Sequence, residues 1–322
     1  MRKNISSIVF LGISILLVYY VFKDIPYKQF VEQIKEIDWR MVGLATLCLL
    51  SSAWFRNLRW LMLFSPLGYS ISPKQGFAAL LLSYPANLLV PQSSFFVRAS
   101  YIKKTSQASF TASFGTILAE KAMDGLVVFG LFFIFLFSSF TSTISIPSIS
   151  IASTFFLVLI SGTFLFFATY FYKKSKGKWK QKISEQISQL KTGLLTILHV
   201  QNLPLFLLHT FLIWLTYFGI YFFLLRATVS PQFLGLQLPV DISVMANVGW
   251  IFPTQGGVGS YHFFVSKVME MQSFTLVQST FFAFFTHLFI IGNDVIWGVL
   301  VFLFNRDNVV SLDELNTKTP TD

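Results

Sequence analysis

The chain has 322 residues, of which 54% are hydrophobic and 12% charged, about half the charged share of an ordinary soluble domain. Charge-free runs at 4–22, 75–97, 125–172, 192–225, 242–266 and 271–293 reach or approach the roughly 20 apolar residues that a helix needs to cross a bilayer. No polar stretch is left that is long enough to bury a soluble catalytic core, so the expected fold is an all-α, polytopic integral membrane protein with a single transmembrane domain over 1–322.

Arg2 and Lys3 precede the apolar stretch Ile5 to Phe22, with no small-residue cleavage site before Lys23. This predicts an uncleaved first crossing at 5–22. An amphipathic surface helix follows, with Tyr27, Phe30, Val31, Ile34 and Ile37 on one face and Lys28, Glu32, Lys35 and Glu36 away from it. Further crossings are predicted at 41–64, 106–137 and 151–172. Between the last two lies an external turn at 138–150, where eight of thirteen residues are Ser or Thr. Cys48 is the one cysteine, which excludes an intramolecular disulfide and leaves it a packing role.

Residues 173–191 carry seven lysines against one acid, Glu185, and positive loops stay on the cytoplasmic side. Trp179, Ile183, Ile187, Leu190 and Leu194 recur there at helical spacing. The segment 173–202 is therefore a cytoplasmic, basic, amphipathic loop, either a simple anchor or a helix lying on anionic lipid. Crossings at 203–225 and 274–304 bring the number of full transmembrane helices to about six. Both termini are then cytoplasmic, around a membrane-embedded core of 5–304 and a short tail at 305–322.

Two stretches, 73–104 and 241–270, resist reading as full crossings. The first contains Tyr84-Pro-Ala-Asn87-Leu-Leu-Val-Pro91 and the second Pro253-Thr-Gln-Gly256-Gly257-Val-Gly259, and neither can remain a regular helix. Broken backbone at bilayer depth is tolerated only where it is buried in protein or lines a wet cavity. Both stretches are expected to be re-entrant broken-helix hairpins. They enter from opposite sides in the topology above and lie about half a chain apart, as in an inverted repeat with its site at the midplane. The alternative is two unrelated kinks.

An intramembrane charge costs about 2.5 to 3.5 kcal/mol on insertion scales, which makes each one a functional candidate. Glu120 and Asp124 are four residues apart on one helix face, with Lys121 beside them. Arg98 follows the first break, Arg56 and Arg59 precede it, and Asp294 is the lone acid of the last crossing. Arg98, with Lys121 or Arg56, could hold a phosphate or carboxylate. Equally, Arg98, Lys121, Glu120 and Asp124 sum to zero charge and could form an internal cluster that only fixes packing. His262 follows the glycine turn, and His287 and Asp294 are candidates for a proton relay; a histidine placed alone is more often a hydrogen-bonded packing residue.

No His/Cys spacing or acidic cluster suggests a metal, and no cofactor is expected. Asp124-Gly-Leu-Val-Val-Phe129 lacks the Ala-Arg pair of the alcohol phosphatidyltransferase signature, and the glycine turn lacks the Lys-Ser/Thr of a P-loop. A net charge of +10 would suit nucleic acid, but its concentration in one juxtamembrane loop points to the membrane instead. The chain is therefore not expected to be an enzyme.

Several of these residues fall into one ordered pattern. Arg56-x-x-Arg59-Trp60 comes first, then Asn87-x-x-x-Pro91, Arg98-x-x-Tyr101-x-Lys103, Glu120-Lys121-x-x-Asp124, and the run from Asn247 through Pro253 to Gly256-Gly257-Val-Gly259. This order resembles the lysylphosphatidylglycerol synthase transmembrane-region family, a flippase-like membrane domain. The resemblance implies a bacterial cytoplasmic (inner) membrane protein that translocates a phospholipid or lipid-linked polar head group between leaflets. Its putting Asn87, Pro91, Pro253, Gly256, Gly257, Gly259 and His262 beside the charged residues makes all of them candidates for substrate binding. The soluble aminoacyltransferase domain of the two-part synthases is not expected here. Many relatives carry acids where this sequence has Ser94-Phe95 and His262; an acid-poor site suits an anionic phospholipid or lipid-linked phosphate better than a lysylated lipid. The alternatives are an accessory or enzyme-like subunit of a glycolipid or cell-envelope pathway, with an enzyme of that pathway as partner, and a noncatalytic scaffold.

Overall fold

The computed structural model describes residues 27–90, 92–141, 196–228, 235–252 and 254–305. The predicted crossings at 5–22 and 151–172, nearly all of the basic loop and the tail beyond Asn305 lie outside the described residues, as do Pro91 and Pro253. Among the described residues the regular elements are all helical. Helices long and apolar enough to cross a membrane, by length and composition, occupy Trp39–Leu67, Leu203–Thr228 and Leu276–Phe304.

In chain order the helices are α1 (Tyr27–Lys35), α2 (Trp39–Leu61), α3 (Pro73–Ser83), α4 (Ala86–Leu89), α5 (Ser94–Thr105), α6 (Phe110–Thr141), α7 (Leu203–Thr228), α8 (Gln237–Ile251), α9 (Ser260–Met271) and α10 (Leu276–Phe304). Their starts follow local chemistry. Asp38 caps α2 by accepting from the Arg40 N–H at 2.9 Å. Capping boxes, Ser72 with Gln75 and Thr275 with Gln278, open α3 and α10, satisfying backbone donors that a first turn leaves free. The 32 residues of α6 span about 48 Å at 1.5 Å each. This helix is long enough to cross, yet carries Glu120, Lys121 and Asp124 in its middle. It runs on to Thr141, so residues 138–141 of the predicted turn are helical, and the rest of that turn lies outside the described residues. Phe129, Ile134, Phe211 and Leu303 are exposed on the long helices, where a lipid solvent would cover them.

The two predicted hairpins are present. In the first, α3 and α5 pack against each other around α4; in the second, α8 packs against α9 around a 3-10 turn at Gln255–Gly257. The two prolines of the first hairpin act differently from one another. Tyr84 keeps helical angles (φ −61°, ψ −50°) ahead of Pro85, which therefore only kinks the chain. The true break comes at Val90, extended at φ −139° ahead of Pro91, followed by Gln92 with φ +64°. Room for the kink comes from α10: a methyl group on Gly298 would strike the Pro85 ring and stand 3.0 Å from the Leu81 carbonyl oxygen.

The hairpins enter from opposite ends of the bundle. Helices α2 and α7 form the most extensive contact in the structure and run antiparallel. The Asp38 N–H at the start of α2 donates to the Ala227 carbonyl near the end of α7 at 3.0 Å. At the other end, Arg59 meets Thr210. The first hairpin follows the C-terminal end of α2, and the second follows the C-terminal end of α7, so their bases lie at opposite ends. One apolar cluster, with Trp60, Ile102, Ile117 and Phe206, holds the first hairpin; another, with Leu224, Tyr261, Val265 and Phe282, holds the second. The order long helix, hairpin, long helix thus occurs twice. The tips meet: α4 touches the 3-10 turn, and Leu88 Cδ2 stands 3.0 Å from where a Gly256 side chain would begin.

Candidate functional site

Three arginines and two carboxylates converge where α2, α5, α6 and α7 meet. Arg56 and Arg59 are three residues apart on α2, and Glu120 and Asp124 four apart on α6, so each pair occupies one helix face. Arg59 Nη2 lies 2.5 Å from Asp124 Oδ1, and Arg56 Nη2 lies 3.2 Å from Asp124 Oδ2. Arg98 Nη2, delivered by the first hairpin, lies 2.6 Å from Glu120 Oε2. Arg56 Nε stands 3.6 Å and Arg59 Nη2 3.9 Å from the other Glu120 oxygen. Aromatic neighbours complete the enclosure. The Arg98 guanidinium lies over the Trp60 ring at 3.6 Å, Trp60 Nε1 donates to Thr116 Oγ1 at 3.0 Å, and Arg56 donates to the Tyr217 hydroxyl at 2.6 Å.

Pairing explains how α6 carries acids at this depth, because a buried charge is tolerable when partners and hydrogen bonds replace its water. It does not explain the balance. Three guanidinium groups face two carboxylates, so the cluster keeps a surplus positive charge once Arg56 and Arg59 are included. Lys121 adds another: one residue past Glu120, it is turned by about 100° around the helix. It is exposed in the adjoining cavity and has no ion-pair partner among the described residues.

That cavity, of about 270 Å³, lies between the hairpin tips and α2, α6, α7 and α10. Arg56 and Lys121 line it from the charged cluster, Tyr84, Asn87 and Ser94 from the first hairpin, and Asn247, Trp250 and Gly256 from the second. Asp294 lines it from α10 without an ion-pair partner among the described residues. Local bonds hold the tips in shape. Asn87 Oδ1 accepts from the Ser94 N–H at 3.0 Å across the first break, and Thr254 Oγ1 lies 2.8 Å from Ser260 Oγ across the second. Gly256, Gly257 and Gly259 all have positive φ (58°, 73° and 88°), which a Cβ would strain. A side chain on Gly257 would also stand 2.8 Å from the Trp250 ring.

The sequence candidates therefore divide. Arg56, Asn87, Lys121, Gly256, Gly257 and Asp294 line the cavity, whereas Arg59, Arg98, Glu120 and Asp124 form the buried wall behind it. His262 and His287 pack behind the second tip, with ring centroids 4.5 Å apart. His262 Nδ1 accepts from the Gly259 N–H at 3.2 Å, and His287 Nε2 lies 2.8 Å from the Gly256 carbonyl. Ser94 and Phe95 do face the cavity, but His262 does not, so of the two positions expected to remove an acid from it only the first belongs to its wall. Tyr84, Tyr217, Tyr221, Asn247 and Trp250 were not singled out as site residues. Asn247 alone carried a signal, a polar residue on the apolar helix leading into the second break.

Paired broken-helix hairpins, tips together around a cavity lined by both charged and apolar side chains inside an all-α bundle, make that cavity the candidate site of a membrane protein. The chain belongs to the lysylphosphatidylglycerol synthase TM region family, whose model matches residues 7–298. It is thereby a membrane protein related to lipid metabolism or transport. No curated protein and no solved structure matches it significantly.

Proposed function

We propose that the protein binds the phosphate-bearing head group of a membrane lipid in the cavity between the hairpin tips and moves it between leaflets. The observation that carries this reading is the charge balance of the site: four cations, Arg56, Arg59, Arg98 and Lys121, against three acids, Glu120, Asp124 and Asp294. Two of the cations, Arg56 and Lys121, face the open space. A phosphate there would neutralise the surplus and accept charge-assisted hydrogen bonds. On this reading the ligand is an anionic phospholipid or a lipid-linked phosphate, and the chain is a carrier rather than an enzyme. It works in a bacterial cytoplasmic membrane with both termini on the cytoplasmic side, alone or beside an envelope-pathway enzyme.

The test is leaflet exchange of fluorescent phospholipid and polyprenyl-phosphate probes in liposomes containing the purified protein. Lys121→Gln removes a cation without orphaning a partner and is expected to slow exchange about tenfold, the equivalent of about 1.4 kcal/mol. Gly257→Leu, which drives a side chain into Trp250, is expected to abolish exchange in protein that remains folded. Exchange of no probe, together with binding of none, would sink the proposal and favour an accessory role.

A further inference from the structure

This inference rests on the reading above, in which a lipid phosphate lies against Arg56 and Lys121, and concerns what that phosphate carries. Besides the two cations, the cavity lining holds polar groups whose bonding capacity is only partly used. Asn87 uses its Oδ1 on the Ser94 N–H, leaving the two Nδ2 hydrogens. Asn247 uses one Nδ2 hydrogen on the Ser243 carbonyl at 2.8 Å, leaving Oδ1 and the second hydrogen. The Tyr84 hydroxyl and the Asp294 carboxylate have no hydrogen-bond partner among the described residues, although both line the cavity.

Free donors and free acceptors therefore line the same cavity. A phosphate only accepts and an ammonium only donates, whereas a hydroxyl does both. A ligand presenting several hydroxyl groups can use donors and acceptors alike, and Trp250 adds apolar surface to the lining. We propose that the cavity has a second subsite, formed by Tyr84, Asn87, Asn247 and Asp294, for a polyhydroxylated group esterified to the lipid phosphate. Glycerol, inositol and hexose groups share this chemistry.

The experiment measures binding of matched lipids to the purified full chain in nanodiscs. Phosphatidylglycerol is compared with phosphatidylmethanol, a diester of the same charge without head-group hydroxyls. In a second arm, a polyprenyl phosphohexose is compared with the polyprenyl methyl phosphate. Because a site that hydrogen-bonds hydroxyls rejects analogues lacking them, the hydroxylated member of at least one pair is expected to bind about tenfold tighter or more. The arm in which this happens identifies the lipid. Asn247→Leu and Tyr84→Phe, both uncharged changes and both checked for folding by thermal unfolding, are expected to erase the preference while leaving phosphatidylmethanol affinity within about twofold. Equal binding within both pairs overturns the second subsite and leaves the phosphate reading standing. Failure of every lipid to bind overturns both, and a preference that survives both variants overturns the assignment to these residues.

Discussion

Glu120 is fully buried and faces Arg56, Arg59 and Arg98, whereas Lys121 on the next position stands in open space. Neutralising the two should therefore have opposite consequences. Glu120→Gln leaves three guanidinium groups with one carboxylate, and removal of one member of a buried ion pair costs about 3 to 5 kcal/mol. A marked fall in the thermal unfolding midpoint of the detergent-solubilised protein is expected. Lys121→Gln should shift that midpoint by less than about 1 kcal/mol in equivalent stability, its effect showing in lipid exchange instead. Comparable destabilisation by both variants would mean that Lys121 belongs to the structural cluster. In the double variant Arg98→Met/Glu120→Gln the loss is expected to be smaller than the sum of the single losses, because the two side chains form one ion pair.

Among the elements, the hairpins depend on close approach. Gly298 on α10 lies against the kink at Pro85, and Gly249 on α8 lies so close to α9 that a methyl group there would stand 2.8 Å from the Tyr261 Cα. Backbone cannot yield as a side-chain tip does. Gly298→Leu is thus expected to destabilise the first hairpin by about 1 to 3 kcal/mol, read as a lower unfolding midpoint and as faster amide exchange in Ala86–Leu89. Unchanged exchange in that segment would show that α10 does not brace the kink. The hairpins themselves were legible in the sequence, since proline and glycine act on their own backbone. The division of labour between the two prolines was not, because the space that accommodates the Pro85 kink is supplied by Gly298, more than 200 residues away.

At the scale of the whole molecule, the repeated order of helix, hairpin and helix places the hairpin bases at opposite ends of the α2–α7 pair. Lys74 and Ser273 are exposed at the two bases. With Cys48→Ser as background, Lys74→Cys and Ser273→Cys are expected to react with a membrane-impermeant maleimide from opposite faces of sealed vesicles. Labelling of both from one face would contradict the opposed arrangement. Cys48 packs beside Gly219, and a serine fits the same space.

The sequence by itself determined the membrane class, the long helices, the two interruptions and the acids of α6, because apolar run length, proline and glycine sterics and helical spacing all act within a few residues. Only the tertiary structure decided which charges meet. Arg56 and Arg59 reach Asp124 across more than 60 residues of chain, and this contact turns a neutral set of four into a cluster with surplus positive charge. It also decided that Arg98 lies in the wall, Lys121 and Asp294 in the cavity, and both histidines behind the tip. Those assignments depend on how helices rotate and pack against one another, and a local pattern leaves that rotation open when lipid-facing and protein-facing positions are both mostly apolar.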